Sequence, residues 1–160
     1  MVAGLFKTVH ATAARLGKQL PHTEYLMTSV PPAPEPFIAT TLGASLTTKD
    51  LPASLAWYRD VLGFTVTRTF DRGGPMFAAS LKAGDVAILL TQDDGARGLD
   101  RAKGEGISLQ FTTEQNIDEL AKGIQERGAT FDTPPSDVMG ARVFRLRDPD
   151  GFKLVFTSPR

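Results

Sequence analysis

The stretch KDLPASLAWYRDVLGF, Lys49–Phe64, carries the signals for the start and the end of one helix. Pro52 is typical of the first turn of a helix, and Gly63 supplies the left-handed stop at its end. The strand-like run ASLTT, Ala44–Thr48, comes directly before this stretch. The sequence therefore predicts a strand that leads into a helix over residues 53–62.

The same order of elements occurs a second time along the chain. A strand-like run, Ile107–Thr113, precedes a helical segment over residues 118–127 that stops at Gly128. A capping box formed by Asn116 and Glu119 marks the start of this second helix. Strand-rich segments follow both helices: Thr65–Phe70, Met76–Leu81 and Val86–Thr91, then Thr130–Asp132, Arg142–Arg147 and Phe152–Phe156. The pattern predicts an α+β fold made of two βαβββ modules.

Composition limits the possible functions of the chain. Its 160 residues, 41% hydrophobic and 22% charged, indicate a globular domain with a core of its own. Lys plus Arg equals Asp plus Glu, 18 of each, which argues against nucleic acid and membrane surfaces as partners. The absence of Cys excludes disulfides and favours a reducing, cytoplasmic location. No apolar run is long enough for a transmembrane helix, and no signal peptide is recognisable.

The first 36 residues differ from the remainder. Residues 1–20 contain three basic residues and no acid, with apolar residues near helical spacing, and predict an amphipathic helix. A Pro-rich linker follows, so that we place the domain boundary near Phe37, with modules over about residues 37–92 and 105–158. We favour a helix that docks on the domain or on a dimer mate. The alternative is a transit peptide, but Ser is scarce and no processing site is evident.

Two motifs carry a resemblance to a known superfamily. YRDVLGF, the end of Lys49–Phe64, and RDPDGFKLVF, Arg147–Phe156, resemble segments of the vicinal oxygen chelate superfamily, which includes glyoxalase I, extradiol dioxygenases and the fosfomycin- and bleomycin-resistance proteins. The resemblance extends from about Phe37 to the C-terminus. It implies that the sheets of the two modules curl into a cup, with the helices on the convex face and the chemistry on the concave face.

In metal-dependent members, the ligands come from the first strand of each module, the fourth strand of the first and the last strand of the second. The resemblance places these residues there: Gly43, Ile88, Gly106 and Val155. None of these side chains has a donor atom, and the single carboxylates nearby, Asp85 and Glu105, cannot form a site if the register slips by one residue. We therefore predict that the protein uses no metal and no other cofactor.

Strand alternation predicts which side chains line the cup. The candidate ligand-binding residues are Gly43, Ser45, Thr47, Phe77, Ile88, Leu90, Gln92, Ser108, Gln110, Arg145 and Val155. Apolar walls with a few hydrogen-bonding groups are what a small-molecule pocket requires. These residues could instead fill a shrunken cup, but Gln92 and Gln110 would be costly to bury without partners.

The set resembles the metal-free, bleomycin-resistance-like branch, which implies a protein that sequesters a drug or metabolite. The alternatives are a metal-free lyase or isomerase, a glyoxalase- or dioxygenase-type metalloenzyme if the strand register is wrong, and a module used only for interactions. No catalytic residue is assigned; Arg145 could hold an anionic group or be a surface residue paired with an acid. We expect a homodimer.

Two charged segments have competing interpretations. The linker Gln92–Gly106 is predicted to be solvated, with a lid over the pocket as the alternative. Asp148 and Asp150, in the turn of the last hairpin, are predicted to bind that turn's own backbone.

Overall fold

The computed structural model describes residues 37–159, and these form ten elements in the order that the sequence predicts. The first module contains β1 (Ala44–Thr48), α1 (Leu51–Asp60), β2 (Thr65–Phe70), β3 (Ala78–Ala83) and β4 (Val86–Gln92). The second contains β5 (Ser108–Thr112), α2 (Ile117–Glu126), β6 (Phe131–Val138), β7 (Ala141–Arg147) and β8 (Lys153–Pro159). The prediction of an α+β fold with two βαβββ modules is confirmed.

Each module forms its own four-stranded mixed sheet. The strand orders are β1-β4-β3-β2 and β5-β8-β7-β6. In both sheets the first strand runs parallel to the last strand of its module, and the remaining pairs are antiparallel. The eight strands thus form two separate sheets with the same topology.

The helices lie where the sequence predicts them, but α1 begins and ends two residues earlier than the predicted 53–62, and α2 one residue earlier than the predicted 118–127. The Asn116 side chain accepts hydrogen bonds from the N–H groups of Asp118 and Glu119, at 3.0 and 3.1 Å, and so caps α2. Gly63 has a φ of 84°, in the left-handed region, which lets the N–H of Phe64 reach the carbonyl of Tyr58 at 3.0 Å. Local capping contacts therefore stabilise the start of α2 and the turn that follows α1.

A chain of aromatic rings joins the two modules on the sides that carry the helices. Phe64, from the first module, lies edge-on to Phe111 of β5, with ring centroids 5.8 Å apart. Tyr58 and Phe156 continue the chain on either side, at 5.6 and 5.2 Å. Aromatic pairs of this kind pack at defined angles and exclude water. The buried apolar residues of both modules form one hydrophobic core, and residues Ala39–Arg160 form one compact unit.

Strand β6 differs from the prediction. The sequence indicates a short strand over Thr130–Asp132, whereas β6 continues to Val138 through Pro134 and Pro135. Its pairing with β7 is irregular on both sides of Thr133. Proline cannot donate to a sheet ladder, but β6 is an edge strand, where the missing donor costs little.

The predicted N-terminal helix and Pro-rich linker, residues 1–36, lie outside the described residues. Among residues 37–159, neither helix has the length and the apolar character needed to cross a membrane.

Candidate functional site

Each sheet has one face that packs in the shared core and an opposite face that we call its open face. At one end of the open faces, Ala78, Val143 and Thr157 are nevertheless buried. In β1 the buried side chains are Leu46 and Thr48, while Ser45 is exposed. Paired residues of neighbouring strands point to the same side of a sheet, so the pairing defines a row on the first open face. Across β1, β4, β3 and β2 this row is Ser45, Leu89, Ser80 and Arg68.

A second row lies next to it on the first open face. It consists of Thr47, Thr91, Ala78 and Phe70. The hydroxyls of Thr47 and Thr91 are 3.3 Å apart. Hydroxyl groups therefore line the first open face near β1, whereas Arg68 and Phe70 lie at its outer edge on β2.

The corresponding row of the second open face is Gln110, Val155, Arg145 and Thr133. Two further rows flank it: Ser108, Lys153 and Arg147 on one side, and Thr112, Thr157, Val143 and Ser136 on the other. Gln110 and Ser108 are exposed, while Val155 and Arg145 are partly buried. Val155 thus occupies the position that Leu89 has in the first module.

Six of the predicted residues lie on the open faces. The first sheet brings together Ser45 and Thr47. The second brings together Ser108, Gln110, Arg145 and Val155. Alternation within a strand was enough to give their facing.

The facing predicted for Ile88 and Leu90 is wrong. Both are core residues, 4% and 0% exposed, and Leu90 pairs with the buried Leu46. The parallel register between β1 and β4 sets this facing. Residues 88–90 are all apolar, so the sequence alone does not show which of them lies in the core. Leu89 and Thr91 occupy the open-face positions instead.

Gln92 also lies away from the open face, because it pairs with the buried Thr48. Its side-chain oxygen accepts a hydrogen bond from the N–H of Leu51 at 2.9 Å, and its amide nitrogen donates to the carbonyl of Lys49 at 2.8 Å. These groups flank the start of α1. Gln92 therefore satisfies the backbone at a helix N-terminus rather than facing a ligand.

The remaining predicted residues lie beside strands. Gly43 directly precedes β1 and is exposed. Phe77 lies in the β2–β3 loop and is 39% exposed. Its ring is 6.4 Å from that of Phe70, and the Arg72 guanidinium lies 5.0 Å from its centroid.

The turn between β7 and β8 binds the first module as well as its own backbone. Asp148 accepts from the N–H groups of Asp150 and Phe152 at 3.0 and 2.8 Å, which confirms its predicted role in the turn. Its other oxygen accepts from the Tyr58 hydroxyl at 2.9 Å. Burial raises the pKa of both Asp148 and Tyr58 above their usual values.

Asp150, the second carboxylate of that turn, does not bind its own turn as predicted. It accepts from the backbone N–H of Lys49 at 2.6 Å and from the Ser54 hydroxyl at 3.0 Å. Lys103, from the linker between the modules, lies 3.2 Å away and has only 6% of its side chain exposed. The turn is therefore an inter-module contact that sequence reasoning missed.

The linker is only partly solvated. The Asp93 side chain is 2% exposed and forms ion pairs with Arg101 at 2.6 Å and Lys103 at 3.0 Å. The N–H of Gly95 donates to the same carboxylate at 2.9 Å. This hydrogen bond, together with the two cations, lowers the pKa of Asp93.

A surface depression of about 470 Å³ lies at the start of α2, away from the open-face rows. Its lining residues are Asn116, Ile117, Asp118, Arg142, Ser158 and Pro159. The Arg142 guanidinium is bound by Asp118 at 2.7 Å and by Asp137 at 3.2 Å. Its charge is thus already compensated within the fold.

The open faces do not fit a divalent metal ion. Their rows contain no His, Glu or Cys, and the carboxylate at their margin, Asp132, forms an ion pair with Arg147 at 3.1 Å. Among the described residues, no three His, Cys, Asp or Glu side chains are grouped closely enough to hold such an ion. On β4, the open-face residue is Leu89 and not the predicted Ile88. Neither side chain has an atom that can ligate a metal.

The protein is thus an α+β protein built from two βαβββ repeats. The buried faces of the repeats share one core, and the opposite sheet faces are open. The family model described as the Glyoxalase/Bleomycin resistance protein/Dioxygenase superfamily matches residues 38–156, and the chain belongs to this superfamily. No curated protein matches the chain in sequence.

Solved structures show the same fold. TioX from Micromonospora sp. ML1 is 20% identical, with a TM-score of 0.62, over 76% of this chain and 100% of that one. A glyoxylase/bleomycin resistance protein/dioxygenase domain from Frankia sp. EAN1pec is 24% identical, with a TM-score of 0.61, over 78% and 100%. A virulence protein from Salmonella typhimurium is 22% identical, with a TM-score of 0.60, over 78% and 99%.

Proposed function

We propose that this superfamily member binds a small organic molecule on the open faces of its sheets, without a metal ion, and sequesters it. The observation that carries the proposal is the row Gln110–Val155–Arg145, which places an apolar side chain between an amide and a guanidinium. A few convergent polar groups around apolar surface are what a ligand site needs.

The polar groups of that row are available to a ligand. Within the described part of the chain, the Gln110 amide has no hydrogen-bond partner and the Arg145 guanidinium forms no ion pair. Gln92, by contrast, is fully engaged at the start of α1. Of the two glutamines selected from the sequence, Gln110 is therefore the one that supports the proposal.

Independence from metal is supported by the side chains at the relevant positions. Leu89 and Val155 stand at equivalent places in the two modules, and neither carries a donor atom. The surrounding rows supply hydroxyl, amide and cationic groups. These groups suit hydrogen bonding to an organic ligand and do not suit Lewis-acid chemistry.

A ligand on the open face of a single chain would be covered on one side only, so a second surface is needed to enclose it. Ser45 and Gln110, on the edge strands β1 and β5, are exposed in the single chain. We propose that a second copy of the chain covers these faces in a homodimer and that the sheets together form a concave cup. A buried ligand then exchanges slowly enough to be sequestered.

Binding rather than turnover is favoured by the same side chains. General acid–base catalysis needs a group that can exchange a proton near neutral pH, most often His, Asp or Glu. The open-face rows offer hydroxyls, amides, Arg and Lys. No observation selects a lyase or an isomerase reaction over binding.

Thermal-shift screening with aromatic and glycopeptide ligands, followed by titration of the best hit, tests this proposal. A ligand that binds only the folded protein raises Tm by mass action. Gln110→Leu and Ser108→Leu should weaken binding without lowering the Tm of the free protein. Gln125→Leu, on an exposed position of α2, is the matched control. Unchanged affinity in both open-face variants would contradict the proposal.

A further inference from the structure

The open faces are cationic although the chain as a whole is neutral, with 18 basic and 18 acidic residues. The rows described above carry Arg68, Arg145, Arg147 and Lys153, and Lys82 lies on the first open face in a further row, paired with Thr65 and Ala87. Only Arg147 has an acidic partner among the described residues, namely Asp132 at 3.1 Å. Four positive charges on these faces are thus uncompensated.

Several acids of the fold are bound away from the open faces. Asp93 binds the linker cations, Asp118 binds Arg142 on the helix side, and Asp148 and Asp150 bind at the module junction. Charge is therefore segregated between the open faces and the rest of the unit. Such a face has a positive potential, which attracts anions.

Aromatic side chains accompany the cations at the outer edge of the first open face. The Arg68 guanidinium lies 4.8 Å from the centroid of the Phe70 ring, and Arg72 lies 5.0 Å from that of Phe77. The two rings are 6.4 Å apart. The edge thus presents two neighbouring cation–π pairs, which combine an apolar surface with positive charge.

We infer that the ligand of the open faces is a small aromatic anion, that is, a planar ring system with a carboxylate, sulfonate or phosphate group. This inference rests on the proposed function. Arg145 binds the anionic group, since this residue is partly buried beside Val155 and its guanidinium has no acid partner in the described chain. On the first open face, Arg68 beside Phe70 offers the same combination of a cation and an apolar surface for such a ligand.

A small anion fits these faces better than a polyanion. The basic residues of the second open face form a short cluster, in which Arg147 lies beside Lys153 and is itself paired with Asp132, rather than a stripe that extends across both sheets. Nucleic acid binding relies on several phosphate contacts along such a stripe. The apolar centres instead match the faces of a ring.

Two fluorescent probes of the same shape test the inference: 8-anilinonaphthalene-1-sulfonate and N-phenyl-1-naphthylamine, which lacks the sulfonate. The full chain is titrated with each probe at low and at high salt. We expect the anionic probe to bind more tightly. Arg145→Gln should weaken its binding about tenfold, the loss expected for one hydrogen bond to a charged group, and should leave binding of the neutral probe unchanged. Arg68→Gln should act in the same direction.

The matched control is Arg97→Gln, which removes one positive charge from the exposed linker and should affect neither probe. Equal affinity for the two probes, or equal losses in Arg145→Gln and Arg97→Gln, would overturn the inference about the anion and leave the proposed binding function standing. Failure of both probes to saturate would overturn the anion inference together with the open-face site. Thermal unfolding of each variant confirms that it is folded.

Discussion

The Tyr58 hydroxyl of α1 donates to the Asp148 carboxylate in the β7–β8 turn at 2.9 Å, across 90 residues of sequence. The contact is buried, with Tyr58 0% and Asp148 5% exposed. It joins the two motifs from which the superfamily is recognised, YRDVLGF and RDPDGFKLVF. Through this contact the two motifs hold one module against the other.

Tyr58→Phe should destabilise the protein because it leaves a buried carboxylate oxygen without its donor. We expect a loss of about 1–3 kcal/mol in the free energy of unfolding, the usual range for such a group. Urea unfolding of Tyr58→Phe, Asp148→Asn and the double variant gives the coupling between the two residues. A Tyr58→Phe variant as stable as the parent would contradict the importance of this contact.

Asp148 should make stability fall as pH rises. Burial raises the pKa of its carboxyl above the unfolded value, so the folded protein binds this proton more tightly. The stabilisation is complete below the unfolded pKa and is lost as pH rises through the folded pKa. Asp148→Asn should therefore gain stability relative to the parent as pH rises above about 4, the unfolded pKa of an Asp carboxyl. A pH-independent difference between the two proteins would refute this assignment.

Asp93 should act in the opposite direction. The Gly95 N–H, Lys103 and Arg101 lower its pKa, so the stabilisation is present above the unfolded pKa and is lost as pH falls through the folded pKa. Asp93→Asn should flatten the acid side of the stability profile, measured by urea unfolding. Asp94→Asn, at the exposed neighbouring position, is the control and should retain the acid-dependent loss. The same profile in both variants would count against the role of Asp93.

Adjacent leucines of β4 test the facing of the strand. Leu90 is fully buried, so Leu90→Ala should cost about 2–5 kcal/mol of unfolding free energy. Leu89 is partly buried on the open face, and Leu89→Ala should instead weaken binding of 8-anilinonaphthalene-1-sulfonate with a smaller loss of stability. Unfolding and probe titration on both variants separate the two roles. A larger stability loss for Leu89→Ala would restore the facing predicted from sequence.

Local signals were enough for the modules but not for every side chain. Gly63, Gly128 and Asn116 fix the helix ends through contacts a few residues away, so their effect can be read from the sequence. The facing of Ile88 depends on its pairing with Ala44, which is a long-range contact. Three consecutive apolar residues do not encode that choice.

The turn carboxylates show the same limit. Asp148 was assigned correctly where its partners, Asp150 and Phe152, lie within four residues. Asp150 was not, because it binds Lys49, 101 residues away. Likewise, the segregation of charge onto the open faces emerges only once strand pairing is known, since the totals of acids and bases are equal.

The most direct test of metal-independent binding on the open faces is a titration with 8-anilinonaphthalene-1-sulfonate before and after chelation. Elemental analysis of the untagged protein accompanies it, and Ni²⁺, Zn²⁺, Mn²⁺ and Fe²⁺ are each added back in turn. We predict far less than one metal ion per chain and the same saturable affinity in every condition. Stoichiometric metal, with binding that chelation abolishes and one added metal restores, would contradict the account and point to glyoxalase- or dioxygenase-type chemistry.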